Sequence, residues 1–270
     1  MNAHTYWLSI EEVAYALGLL GGPETAATYL QNLLGERPAD EINGRLLAAS
    51  HALVARGLLT FDMETTAKEL DADFGRVIED LARAQCVLSL TQRTAQARTA
   101  ADLYFHGEMV IEQRIDRAVV AELEALPGRA QATARILAFF GVEADATDAH
   151  SAALAAFPAS LLSQVKRSDA HGLAALLQAE GVGASIATQF ANDVAATISR
   201  GNILQTRPLM EGAARIEVQS GVLLMRSPAR SWLVHLAQPN PALAQLYPLN
   251  AKTLRTAIDE LTREPVPAAA

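Results

Sequence analysis

Two stretches of this chain run through the same series of elements, and a repeated supersecondary unit constrains a fold more than any single motif does. A helix ending in Arg56-Gly57-Leu58-Leu59 leads to a helix carrying Phe74 and Ile78, then a strand pair turning at Gly107, a third strand and a helix. Farther on, a helix ending in Glu180-Gly181-Val182 leads to a helix carrying Phe190 and Val194, then a strand pair turning at Gly221, a third strand and a last helix. Phe74 to Phe190 spans 116 positions and Gly107 to Gly221 spans 114, against 124 from Gly57 to Gly181. The second copy therefore lacks a segment after its glycine. The order of elements carries this reading, since residue identity between the copies is low.

The expected fold is α+β, with two pseudo-repeated halves, each a small antiparallel sheet packed with helices. Residues 1–142 form the first half and 151–264 the second. Residues 143–150 are acidic, almost free of large apolar side chains, and read as a linker; 265–270, with Pro265 and Pro267, read as a disordered tail.

Local signals place the helices. Ser9-Ile10-Glu11-Glu12 is a capping box, and Val13, Leu17 and Leu20 then recur at helical spacing. Gly21-Gly22-Pro23 stops that helix and opens the next, which carries Ala27, Leu30 and Leu34. Asp40 is expected to cap a third helix ending at Gly57, and Asp71 or Asp73 the helix of Phe74 and Ile78. From Val87 the apolar period becomes two, giving strands at Val87–Leu90, Leu103–Phe105, Val110–Ile115 and Val119–Leu126. In the second half, helices are expected at Ala152–Phe157 and Ser160–Arg167, at Leu173–Leu177, and from Ile186 to a stop at Gly201. A hairpin turn is expected at Ser220-Gly221, a strand at Ser231–Leu236, and a last helix capped by Asn250.

Half of the residues are hydrophobic, enough to bury a sizeable core, and the net charge is −8. Such a balance repels phosphate backbones and anionic membranes, so neither nucleic acid nor membrane is the expected partner. Residues 1–10 contain no Lys or Arg and no apolar run approaches the length of a bilayer span, which predicts a cytoplasmic protein. Cys86 is the only cysteine, so no internal disulfide or thiolate metal site can form; among Ala84, Val87 and Leu88 it reads as a small buried hydrophobe.

No catalytic signature competes with these structural signals. HExxH, GxSxG, paired cysteines and a phosphate loop are all missing. Gly18-Leu19-Leu20-Gly21-Gly22 lacks the strand and spacing of a pyrophosphate cradle and reads as a helix stop. His4, His51, His106, His150, His171 and His235 are scattered, and Ser50-His51 are adjacent and so cannot face each other on a helix. No enzyme activity, cofactor or metal is expected, unless a site assembles in space from two histidines and a carboxylate.

Three helices followed by an apolar strand at Leu58–Phe61 look winged-helix-like, with Ile42–Arg56 in the place of a recognition helix. Residues 1–60 nevertheless hold three basic side chains (Arg37, Arg45, Arg56) against six acidic ones (Glu11, Glu12, Glu24, Glu36, Asp40, Glu41). A transcription regulator binding DNA is thus the alternative rather than the leading reading, and the same shape reused for protein contact fits the charge better.

Arg56-Gly57-Leu58-Leu59, the Asp-containing stretch and helix through Ile78 and Leu81, and Val87-Leu88-Ser89-Leu90 together resemble EspG-type proteins of type VII secretion. So does the ending, with its strand pair near Gly221, Arg230-Ser231-Trp232-Leu233-Val234, Pro248 and the helix of Leu254, Ile258 and Leu261. The resemblance implies a cytoplasmic, non-enzymatic chaperone of two related halves that shields apolar helical secretion substrates. The polar, glycine-bearing turn usual between the last strands is Ser227-Pro228-Ala229 here, a departure at the surface a shared substrate would meet. The expected partner is a protein client, with Leu223, Met225 and Trp232 as its contact residues. Trp232 reads first as core and second as an interface anchor.

Overall fold

The computed structural model describes residues 5–62, 64, 66–117, 119–143, 151–164, 169–206, 218–236 and 243–263. The chain divides into two compact units. The first comprises Met1–Val87, Ala101–Ala132 and Thr206–Glu217; the second comprises Leu88–Ala100, Thr133–Gln205 and Val218–Ala270. The expected linker (apart from Glu143) and the expected tail lie outside the described residues.

In chain order the elements are β1 (Thr5–Ser9), α1 (Ile10–Gly21), α2 (Pro23–Leu34), α3 (Ala39–Ala55), β2 (Leu59–Phe61), β3 (Lys68–Leu70), α4 (Ala72–Ala82), β4 (Cys86–Thr94), β5 (Arg98–His106), β6 (Met109–Asp116), β7 (Val120–Leu126) and α5 (Arg129–Phe139). There follow β8 (Ala155–Pro158), a 3-10 turn at Ala159–Ser163, α6 (Ala170–Ala179), α7 (Ala184–Ala195), β9 (Ser199–Thr206), β10 (Val218–Arg226), β11 (Ser231–Leu236), β12 (Leu243–Pro248) and α8 (Ala251–Leu261). Among the described residues no helix is long and apolar enough to cross a membrane.

In the first unit the strands lie in the order β1-β7-β6-β5 with antiparallel pairing. Helices α1 and α4 pack together, and the core between them and the sheet holds Leu8, Val13, Leu17, Phe74, Ile78, Leu81, Ile111 and Leu123. The predicted capping box is present: Ser9 Oγ accepts from the Glu12 N–H at 3.1 Å, and the Glu12 carboxylate accepts from the Ser9 N–H at 2.7 Å. Asp71 caps α4, accepting from the N–H groups of Asp73 and Phe74. Asp40 is not a cap: α3 begins one residue earlier, after Pro38, leaving Asp40 in the first turn, where its charge favours the positive end of the helix dipole. Gly57, at φ 70°, closes α3 in a Schellman motif, with Gly57 N–H on Val54 O and Leu58 N–H on Leu53 O. Between Gly57 and α4, β2 and β3 pair as a small antiparallel sheet.

Strand β1 was not foreseen: Tyr6-Trp7 reads in the sequence as packing over α1. Tyr6 does pack against Phe74, with ring centroids 5.2 Å apart, but from an edge strand whose Trp7 side chain is 58 % exposed. The Ile10 N–H donates to Val119 O, so by antiparallel alternation the backbone groups of Trp7 and Ser9 face away from β7. Glu12 and Arg56 occupy that outward edge. Glu12 takes the Ser9 N–H, Arg56 Nη2 donates to Trp7 O at 2.7 Å, and the two side chains pair at 3.2 Å. An open strand edge is a template for unwanted pairing, and this clasp covers it.

In the second unit the order is β4-β9-β10-β11-β12-β8. Its core on the α6 and α7 side holds Phe157, Leu173, Leu177, Phe190, Val194, Trp232, Val234 and Leu246. Three sequence expectations are corrected here. Ala155–Pro158 is an edge strand rather than part of a helix, because pairing with β12 and burial of Phe157 override the helix propensity of its alanines. Helix α7 ends at Ala195, not at Gly201, and Gly201 lies inside β9. Ser220-Gly221 is not a turn: both residues lie inside β10, whose connection to β11 is Ser227–Arg230. Gly221 is small because β9 passes close by; a Cβ there would stand 2.9 Å from Leu204 Cδ2 and 3.1 Å from Ile203 O.

Candidate functional site

The three contact residues expected from sequence lie on the β10–β11 hairpin, where Met225 pairs with Trp232 and Leu223 with Val234. All four side chains pack against the core that includes α7. Met225 and Trp232 are buried, and only Leu223 is partly exposed. The Trp232 ring meets Phe190 edge-on at 5.6 Å.

Sequence reasoning missed the residue that organises this hairpin. Asp193 projects from α7 and is 5 % exposed. Its carboxylate accepts from Ser227 Oγ at 2.6 Å, from Trp232 Nε1 at 2.9 Å and from Arg230 Nη1 at 3.4 Å. Ser227 Oγ in turn accepts from the N–H groups of Ala229 and Arg230, which sets the turn. Burial alone would raise the Asp193 pKa; the hydrogen bonds from Ser227, Trp232 and Arg230 outweigh it and hold the carboxyl below 3.8. A signal was available: Asp193 stands three residues after Phe190 and one before Val194, so it shares the buried stripe of α7, where a carboxylate needs donors.

The opposite face of the hairpin meets α8. There His235, 6 % exposed, approaches Glu260 Oε2 at 3.2 Å through Nδ1. Burial lowers its pKa below 6.5, and Glu260 only partly offsets that. The unfolded chain, with an ordinary histidine, takes up a proton near pH 6.5 that the folded chain resists, so stability is full above 6.5 and falls as pH drops below it. Thermal melts between pH 7.5 and 5.5 are expected to show this loss, and His235→Gln to flatten it. An unchanged slope in that variant would remove His235 as the cause.

In the first unit His106 Nδ1 lies 2.8 Å from Asp80 Oδ1. A carboxylate-oriented imidazole is part of a hydrolytic triad, but among the described residues no hydroxyl or thiol is bonded to this ring. Among the described residues, no three His, Cys, Asp or Glu side chains converge to hold a metal. Cys86 is buried, as its neighbours predict. What the geometry shows is a strand pair braced from α7 through Asp193.

No protein-family model matches the sequence, and no curated protein matches it. The chain is similar in structure to the Mycobacterium tuberculosis type VII secretion system chaperone EspG5, solved in complex with a PE25-PPE41 dimer, with a TM-score of 0.58 and 11 % sequence identity over 99 % of both chains. At that identity the likeness is one of fold.

Proposed function

We propose that this chain is a non-enzymatic, chaperone-like binding protein that masks an apolar helical or strand segment of a protein client, and that the client is a type VII secretion substrate. The observation that carries this is the fold shared over nearly the whole of both chains with EspG5, which was solved holding a protein dimer. The contact surface we assign is the β10–β11 hairpin. Leu223 is its partly exposed apolar position, and Met225 and Trp232, buried beside it on the same face, stiffen the strand pair, so little side-chain freedom is lost when a client binds. We also read the chain as an internal pseudo-repeat, because α4 is followed by four strands and α5, just as α7 is followed by four strands and α8.

Gentle purification from the native host is expected to recover one apolar, helical protein in stoichiometric amount, and Leu223→Gln, which also gives up some core packing and lowers the melt, to reduce that recovery severalfold at temperatures where the variant is still folded. A clean, partner-free protein would sink the proposal.

A winged-helix regulator of DNA is the second reading, and side-chain pairing disfavours it. Arg45 on α3 is held by Glu11 at 2.8 Å and Glu41 at 2.9 Å, and Arg56 by Glu12 and the Trp7 carbonyl. The cations that a recognition helix would bring to phosphates are already bound to carboxylates and backbone.

A further inference from the structure

The net charge of −8 is unevenly divided. The first unit carries 11 Lys and Arg against 21 Asp and Glu, a net of −10, whereas the second carries 11 against 9, a net of +2. Within the first unit, α2 and α3 both pack on α1. The gap between them is a cleft of about 520 Å³. Its apolar floor includes Ala27 of α2 and Ile42 and Leu46 of α3; Glu24, Glu36 and Arg37 stand along it. Ile42 and Leu46 also pack against the core of the unit, so they present a fixed surface.

We infer that this cleft is a docking site for a basic amphipathic helix of a protein partner. Three features select that occupant. The cleft lies between two helices, and α2 has 12 residues, roughly 18 Å of length at 1.5 Å per residue, which matches a short helix laid alongside. The floor is apolar at helical spacing, Ile42 and Leu46 being one turn apart, so it accepts a stripe of apolar side chains. The surrounding unit is strongly acidic, and Asp40 and Glu41 in the first turn of α3 extend the acidity of Glu24 and Glu36, so Lys and Arg flanking the stripe are favoured and acidic helices repelled. This inference concerns a different surface from the β10–β11 hairpin and does not depend on what that hairpin binds.

The test uses the full chain and a fluorescein-labelled 18-residue peptide with leucines at helical spacing, lysine and arginine on the flanks and alanine elsewhere. Its control carries glutamate in place of every basic residue. Fluorescence anisotropy is expected to show saturable binding of the basic peptide only, weakened severalfold between 50 and 200 mM salt. Two exposed positions then separate docking from general attraction. Ala27→Glu makes the unit more acidic but spoils the floor, and is expected to weaken binding at least about fivefold. Arg37→Glu removes a cation lining the cleft, and is expected to tighten binding about two- to threefold. Attraction to the acidic surface alone would tighten both. Equal binding of the two peptides, no saturation below 1 mM, or tighter binding to Ala27→Glu would each overturn the inference. Thermal melts unchanged from the parent show that either variant still folds.

Discussion

Replacing Asp193 by alanine is expected to destabilise the second unit by about 3 kcal/mol, because it strands a buried indole N–H and a serine hydroxyl that now share one carboxylate. Trp232 and Ser227 are both buried, so water cannot replace the lost acceptor, whereas Arg230 is half exposed and finds solvent. Asp193→Asn keeps the volume but turns an NH2 group toward donors, so it recovers only part of the loss. Trp232→Phe removes one donor and should cost about 1 kcal/mol. In a double-mutant cycle by urea unfolding, Asp193 and Trp232 are expected to couple by about 1–2 kcal/mol; additivity would show that the bond is not holding the hairpin. The pH dependence has a fixed sign. The folded carboxyl titrates below its unfolded value of 3.8, so its contribution is complete above 3.8 and is lost as pH falls through the folded pKa.

The second large effect is expected at Gly201. A Cβ at this position of β9 would stand 2.6 Å from Phe140 Cε1 and 3.2 Å from Thr91 O. Phe140 is 2 % exposed and lies edge-on to Phe139, so its ring has little room to retreat. Gly201→Ala is expected to lose about 2 kcal/mol and Gly201→Val about 3 kcal/mol or more, the range for overpacking a filled site. Phe140→Leu should recover part of that loss in the Gly201→Ala background while costing stability on its own. Gly44 on α3 provides the contrast, since nothing lies within 4 Å of its would-be Cβ, and alanine there should stabilise by about 0.5–1 kcal/mol through helix propensity. If Gly201→Ala melts like the parent, the close approach is not what fixes this glycine.

Signals confined to one turn of chain were legible in the sequence. The Ser9 box, the Asp71 and Asn250 caps and the Gly57 and Gly181 stops need only neighbours two to five residues away, and all are present. Elements defined by distant partners were not. Strand β8 is alanine-rich and is a strand only because β12 lies beside it; β12 itself, Leu243–Pro248, went unread. Gly201 and Gly221 read as punctuation because a close backbone approach leaves no local trace. The candidate hairpin was located one connection too early for the same reason. That Leu223 and Met225 share a strand was legible, but Trp232 reads in the sequence as part of a third strand outside the hairpin, and the burial of Met225 and Trp232 depends on α7 covering that face. The α2–α3 cleft could not be read at all, since it exists only because both helices lean on α1.

The edge strands carry a consequence for how the chain is made. Trp7 pairs with Glu122, and Ala155 with Leu246, so β1 and β8 each join a strand synthesised some ninety to 115 positions later. Contacts that distant form slowly, because a long loop must close before they reward it. On a ribosome adding about 5–20 residues per second, β1 waits several seconds for its partner strand. During that wait the bond from the Ser9 N–H to Glu12 is already available, being three residues long. The clasp that later guards the finished edge thus begins as a local restraint on the nascent chain, before there is a sheet for it to close.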